Sequence, residues 1–206
     1  MVQNQLRSRG IRDERVLEAM AKLPRELFVP EPRRQLAYAD EALPIPAGQT
    51  ISQPWIVARM TELVSPRPGD RILDVGTGSG YQAAILAMLG AQVVSIERQP
   101  ELAATARARL AELGYADRVE VRLGDGSLGD SVGAPWDGIV VAAAAPSIPR
   151  SLREQLSPLG GRLVIPVGDL GRQDLLLVVR QGDTWEERND GSVVFVPLVG
   201  KEGFPG

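Results

Sequence analysis

A chain of 206 residues, 44% hydrophobic and 24% charged, suits one compact domain with a sizeable core. It holds no Cys and no His, which excludes disulfides, thiolate nucleophiles, Ser-His-Asp triads, imidazole bases and the usual zinc sites. The net charge of −3 argues against a broad nucleic-acid footprint. No run approaches the ~20 apolar residues of a membrane span. The opening Met1-Val2-Gln3-Asn4-Gln5-Leu6-Arg7 lacks the apolar stretch of a signal peptide, so the expected setting is cytoplasmic, with neither membrane nor nucleic acid as partner.

In the first fifty residues, Val16, Leu17, Met20 and Leu23 recur at helical spacing and predict a short amphipathic helix over 13–23. Pro24, Pro30 and Pro32 break the chain, and Ala42 to Gly48 reads as irregular or extended. A second helix starts near Ser52 and Pro54, with Ile56, Val57, Met60, Leu63 and Val64 as its apolar stripe, and ends before Pro66 and Pro68-Gly69. From Arg71 strands and helices alternate. Strands are predicted over 72–75, 93–96, 119–123, 138–143 and 162–167, with helices over 81–89, 101–113 and 149–156. Such alternation predicts an α/β fold, a parallel sheet covered on both faces. The last forty residues lose the pattern. Leu175 to Arg180 and Val193 to Val199 read as strands, with turn signals at Gly182-Asp183-Thr184 and Asn189-Asp190-Gly191. An antiparallel edge that makes the sheet mixed is therefore expected.

Asp74-Val75-Gly76-Thr77-Gly78-Ser79-Gly80 sits where the first core strand meets the first core helix. Glycines there permit a sharp turn and close approach of a ligand to a helix N-terminus. Glu97 closes the next strand 21 residues after Gly76, where an acid reaches both hydroxyls of a ribose. The dinucleotide fingerprint G-x-G-x-x-G would need glycine at position 81, which is Tyr. A carboxylate at Asp74 repels a pyrophosphate but suits a cofactor carrying an ammonium and a sulfonium, and S-adenosylmethionine is such a cofactor. Asp125-Gly126, after the third core strand, falls where an adenine amine would seek an acceptor.

After the fourth core strand, Ala142-Ala143-Ala144-Ala145-Pro146 offers neither amide nor aromatic side chain. This excludes the tetrapeptide with which base-amino methyltransferases grip a flipped base. No carboxylate cluster follows that would make a magnesium site, so no metal is expected. Ser52, in Gly48-Gln49-Thr50-Ile51-Ser52-Gln53-Pro54, has two readings: an N-cap for the second helix, or a hydroxyl that holds a substrate oxyanion.

These blocks, with Ala42-Leu43-Pro44-Ile45, Tyr81-Gln82, Gly124-Asp125-Gly126, Ala143-Ala144-Ala145-Pro146 and Phe195-Val196-Pro197-Leu198, resemble the protein-L-isoaspartate O-methyltransferase family. The likeness runs from about Arg12 to Gly203. It implies a Rossmann-like S-adenosylmethionine-dependent methyltransferase fold: a mixed sheet with helices on both faces, an N-terminal helical extension and an antiparallel C-terminal edge. The expected organisation is a single domain over 1–206, with 1–69 as substrate-side extension, 70–168 as cofactor-binding core, and 169–206 as edge and tail. It further implies methyl transfer from S-adenosyl-L-methionine to the free α-carboxyl of L-isoaspartyl residues in damaged proteins and peptides, by a monomer. The competing reading is another methyltransferase acting on a small-molecule acid or RNA. By position, Ser52 matches the active-site serine, with Thr50 beside it at the substrate. Ile51, Asp74, Gly76, Thr77, Gly78, Gly80, Glu97, Asp125 and Gly126 match cofactor contacts. Glu26 and Ala47 stand where relatives commonly carry His, and Phe204 where Trp is frequent. The C-terminal tail either closes over the bound peptide or frays.

The absence of histidine fits this chemistry. A carboxylate with a reference pKa near ~4 is ionised at neutral pH and needs no base. A sulfonium leaves as a neutral thioether and needs no acid.

Overall fold

The computed structural model describes all 206 residues. Irregular helical turns at Val2–Leu6 and Arg7–Arg9 precede α1 (Glu14–Lys22). Asp13 caps α1 by accepting from the Arg15 amide, and Val16, Leu17, Ala19 and Met20 form its buried stripe. Short 3-10 turns at Arg25–Phe28 and Glu31–Leu36 occupy the proline-punctuated stretch. Leu43–Pro44 (β1) and Thr50–Ile51 (β2) then pair as an antiparallel hairpin. The Gln49 amide closes its turn on the Pro46 carbonyl, and φ is +58° at Ala47 and +67° at Gly48. Two successive left-handed residues make the kind of turn that matches the twist of a hairpin. Pro54 opens α2 (Pro54–Val64), where its missing N–H costs nothing.

The core follows as β3 (Arg71–Val75), α3 (Tyr81–Met88), β4 (Gln92–Glu97), α4 (Pro100–Glu112), β5 (Val119–Leu123), β6 (Gly138–Val141), α5 (Arg150–Glu154) and β7 (Leu159–Gly168). β8 (Gln173–Gln181) and β9 (Thr184–Val193) complete it. The strand order is β5-β4-β3-β6-β7-β8-β9, parallel from β5 to β7 and antiparallel for the last two. The chain steps outward from β3 to β5, then returns to the other side of β3. This reversal opens a crevice at the carboxyl ends of the strands.

The same reversal sorts the helices, because right-handed crossovers running in opposite directions cover opposite faces. One face carries a cluster of 38 buried residues that joins α1 to α4 with Ile72, Val93, Val140 and Val164. The other carries 14, gathering Trp136, Leu152 and Leu156 against Leu73, Val75, Ile139 and Val141. Neighbours such as Ile72 and Leu73 part to the two faces through the pleat. Tyr81 to Ala87 in α3 are buried all round, between the sheet and α1 and α2. No helix is long and apolar enough to cross a membrane.

Three expectations need correction. Residues 2–9, which the sequence leaves without an element, are helical. β7 begins at Leu159, ahead of the expected glycine stop. The final strand covers 184–193 rather than 193–199. Asn189-Asp190-Gly191 lies inside β9, where the ladder slips opposite Asp174 to Leu176. Arg59 of α2 holds the Asp190 carboxylate by two charge-assisted bonds of 2.7 and 2.6 Å, so a long-range ion pair overrides the local turn preference. Residues 194–198 leave the sheet and cross the crevice. Ala144 donates to the Val196 carbonyl at 2.8 Å, and Leu198 donates to the Ala144 carbonyl at 2.7 Å.

Candidate active site

At the crevice the chain turns from β3 through Gly76, Gly78 and Gly80, whose φ values of +92°, +52° and +88° only glycine adopts without strain. The Gly76 and Thr77 amides donate to the Ile96 carbonyl at 2.9 and 3.3 Å, folding the loop over the end of β4. Glu97, 5% exposed, accepts from the Gly78 amide at 2.9 Å and from the Gln99 amide at 3.0 Å. Each carboxylate oxygen thus spends one lone pair on the backbone and keeps another free. Gly76, Thr77, Gly78, Glu97 and Gly126 line one cavity of about 1000 Å³, with Ile51, Ser52, Tyr81, Arg98, Ala142 and Val196–Val199. Gly126 has no room for a side chain, since an added Cβ would meet Val75 Cγ1 at 2.5 Å.

Three residues expected at the cofactor are not among those lining this cavity. Gly80 caps α3 and packs on Leu110, outside the cavity lining. Asp74 is fully buried beneath the loop. The parallel register sets it beside Ser95, whose hydroxyl donates to Oδ2 at 2.7 Å, and Thr77 Oγ1 bonds Ser95 in turn. Asp74 Oδ1 has no partner. Burial pushes this carboxyl up to about 7, against the Ser95 bond, with the nearby Glu97 charge adding to the rise. Asp74 therefore supports the loop from below, outside the cavity lining. Asp125 is likewise bonded within the protein: it accepts from the Ser127 amide and hydroxyl at 2.9 and 2.7 Å, and from the Lys201 amide at 2.7 Å. Burial would raise its pKa, but these bonds outweigh burial and hold it below the usual carboxylate value.

The tail is docked rather than frayed. Besides the Lys201 contact, the Glu202 amide donates to Ser127 Oγ at 3.0 Å, and the Glu202 carboxylate accepts from the Ser151 amide and hydroxyl. Phe204 donates its amide to the Leu198 carbonyl at 2.7 Å, which seats Val199 in the cavity wall.

A second, more open groove of about 1550 Å³ adjoins the first. Arg9, Asp40, Trp55, Ile56, Arg172 and the stretch 192–196 line it, and Thr50, Ser52 and Val196 belong to both walls. Ser52 does not cap α2. Gln53 occupies the cap position without a side-chain bond, and the half-buried Ser52 hydroxyl takes no part in the protein's own hydrogen bonds. Of the two readings open for Ser52, the capping one is thereby removed. Sequence reasoning also missed Arg98, Tyr81 and Val196–Val199 as lining residues. The run following Glu97 and the start of α3 carried a local signal for the first two. The last four arrive only through long-range pairing with Ala144.

Glu26 accepts a bond from the Tyr38 hydroxyl, and Ala47 occupies the hairpin turn.

Residues 1–203 match the family described as protein-L-isoaspartate(D-aspartate) O-methyltransferase. The chain is 56% identical over 204 residues to the protein-L-isoaspartate O-methyltransferase of Methanoregula boonei, covering 99% of this chain and 93% of that one. It is 55% identical to protein-L-isoaspartate O-methyltransferase 2 of Marinobacter nauticus, covering 100% and 94%. Among solved structures, a protein-L-isoaspartate O-methyltransferase superposes with a TM-score of 0.85 at 27% identity, over 98% of this chain and 67% of that one. A Plasmodium falciparum structure with a TM-score of 0.79 and 24% identity, over 95% of each chain, shares the fold. With a full-length family match and relatives above half identity, the chain belongs to the protein-L-isoaspartate(D-aspartate) O-methyltransferase family.

Proposed function

We propose that this chain transfers the methyl group of S-adenosylmethionine to the free α-carboxyl of L-isoaspartyl residues in damaged proteins and peptides, with Ser52 orienting the acceptor. The observation that carries the reading is the shared wall: Thr50, Ser52 and Val196 stand between a deep cavity and an open groove. A donor in the one and a peptide in the other meet at the Ser52 hydroxyl.

The donor cavity fits an adenosylated amino acid. Glu97 offers two unspent lone pairs to a vicinal diol, Gly76 and Gly78 bare their backbone at the glycine turn, and Gly126 keeps the floor clear of side chains. When bound, the cofactor supplies an electrophilic methyl on a cationic sulfur. The chain's residues then have a positioning task. Glu97 and the glycine loop hold the donor, while the Ser52 hydroxyl donates to one carboxylate oxygen and leaves the other free to attack. Near-attack alignment of this kind is worth about 7–11 kcal/mol. No residue needs to move a proton, in keeping with a chain that has no His or Cys. The methyl ester formed is a better electrophile than the carboxylate. The next backbone amide closes on it, expelling methanol, and the resulting succinimide reopens in part to normal aspartate.

The open groove and its exposed strand end suit extended chain with varied side chains, as a lesion found in many proteins demands. The test is incubation with methyl-labelled donor and matched isoaspartyl and aspartyl peptides. Base-labile methyl ester on the isoaspartyl peptide alone is expected; label on both peptides, on nitrogen, or on neither would refute the reading.

A further inference from the structure

Arg25, in the 3-10 turn after α1, is fully buried. Its Nε donates to the Ala37 carbonyl and its Nη2 to the Ser52 carbonyl, each at 2.7 Å. The guanidinium lies over the Tyr81 ring, 4.8 Å from its centroid. Nη1 is buried without an acceptor. No carboxylate pairs with this arginine; the adjacent Glu26 is engaged by the Tyr38 hydroxyl instead. Burial accordingly pushes its pKa below the usual arginine value, which the Tyr81 contact only partly offsets.

A buried cation without a counter-ion is costly, and folds ordinarily pair or exclude one. Here the unneutralised charge sits between the ring that lines the donor cavity and the backbone of the residue where both cavities meet. We propose that Arg25 is a positioning residue and the resident countercharge for the acceptor. It clamps the Ser52 backbone away from the helix cap, and its charge makes the junction selective for an anionic acceptor over a neutral one of the same shape.

The inference rests on the function proposed above. An ionised α-carboxyl arriving at Ser52 brings the negative charge that the folded chain withholds from Arg25, so specificity for a carboxylate is built in behind the contact surface. The attraction acts on the bound anion before methyl transfer and fades as its charge is lost. Loss of the charge therefore raises the acceptor KM without lowering kcat, and any fall in kcat reports the lost hold on the Ser52 backbone.

The experiment measures binding of an isoaspartyl peptide, and of its twin with an α-carboxamide in place of the α-carboxylate, in the presence of S-adenosylhomocysteine. The wild-type chain, R25Q and R25K are compared. The wild type is expected to prefer the carboxylate, and R25Q to lose that preference by about tenfold or more while retaining S-adenosylhomocysteine affinity. R25K keeps the charge and the preference, but a single ammonium cannot hold both carbonyls, so its kcat falls. Equal weakening of both peptides in R25Q would reduce Arg25 to a structural strut and overturn the proposal. If R25Q does not fold, loss of the preference in R25K overturns it instead. Failure of the wild type to methylate the isoaspartyl peptide would sink the functional reading itself. A wild type that methylates, with an R25Q that still discriminates, sinks only the role of Arg25.

Discussion

Replacing Asp74 with Asn tests whether the floor of the glycine loop carries a carboxyl that the fold keeps protonated. The side chain is fully buried, one oxygen bonded by Ser95 and the other without a partner. Its pKa rises from 3.8 to about 7. The folded state therefore holds a proton that the unfolded chain releases between these values. Stability contributed by the group is complete below pH ~4, declines as pH rises, and is gone above ~7. A rise of about three units corresponds to about 4 kcal/mol at most over that window. Urea denaturation of wild type and D74N at intervals from pH 4.5 to 8 reads the effect as a difference in slope, independent of the cost of seating an amide there. The wild type should lose stability relative to D74N by a few kcal/mol across the range. Parallel pH profiles would refute the argument. Methyl transfer itself needs no proton, so any activity limb near neutrality should appear in the cofactor KM and vanish in D74N.

Ser52→Ala should lower turnover about tenfold to a hundredfold through loss of alignment, leaving S-adenosylhomocysteine affinity nearly unchanged by calorimetry; loss of cofactor binding in a folded variant would contradict the assigned role. Glu97→Ala should weaken cofactor binding by roughly 1–3 kcal/mol, since it removes the acceptor for a diol and loosens the Gly78 turn. Unchanged affinity would place the ribose elsewhere. Asp125→Ala should release the tail at Lys201 and Ser127 and cost about 1–3 kcal/mol of stability in urea, with cofactor affinity largely kept. A collapse of affinity at intact fold would restore Asp125 as a direct adenine contact.

Much of this molecule was legible in the order of its residues, because the relevant constraints are local. A glycine turn between a buried strand and a helix leaves few backbone paths, and Pro54 at a first helical position marks where α2 begins. Glu97 ends a strand whose place beside β3 follows from short right-handed crossovers. The absence of His and Cys by itself narrows the chemistry. Residues whose meaning depends on partners distant in sequence were not legible in the same way. Asp190 looks like a turn residue until Arg59, 131 positions away, pulls it into a strand. Asp74 and Asp125 sit at strand ends where acids commonly meet a ligand. Ser95 and the tail amides claim them here.

Ser52 shows where the division falls. Spacing alone placed a hydroxyl at a helix start and left it two possible roles, because capping is a short-range bond that any serine there can make. Tertiary structure removed one of them. Arg25 reaches across 27 residues to take the Ser52 carbonyl, the cap passes to Gln53, and the hydroxyl is left unspent between two cavities. Backbone conformation and element type follow from neighbouring residues, whereas the partner a polar atom finds, and so whether it supports the fold or serves the reaction, is settled only when distant segments pack together.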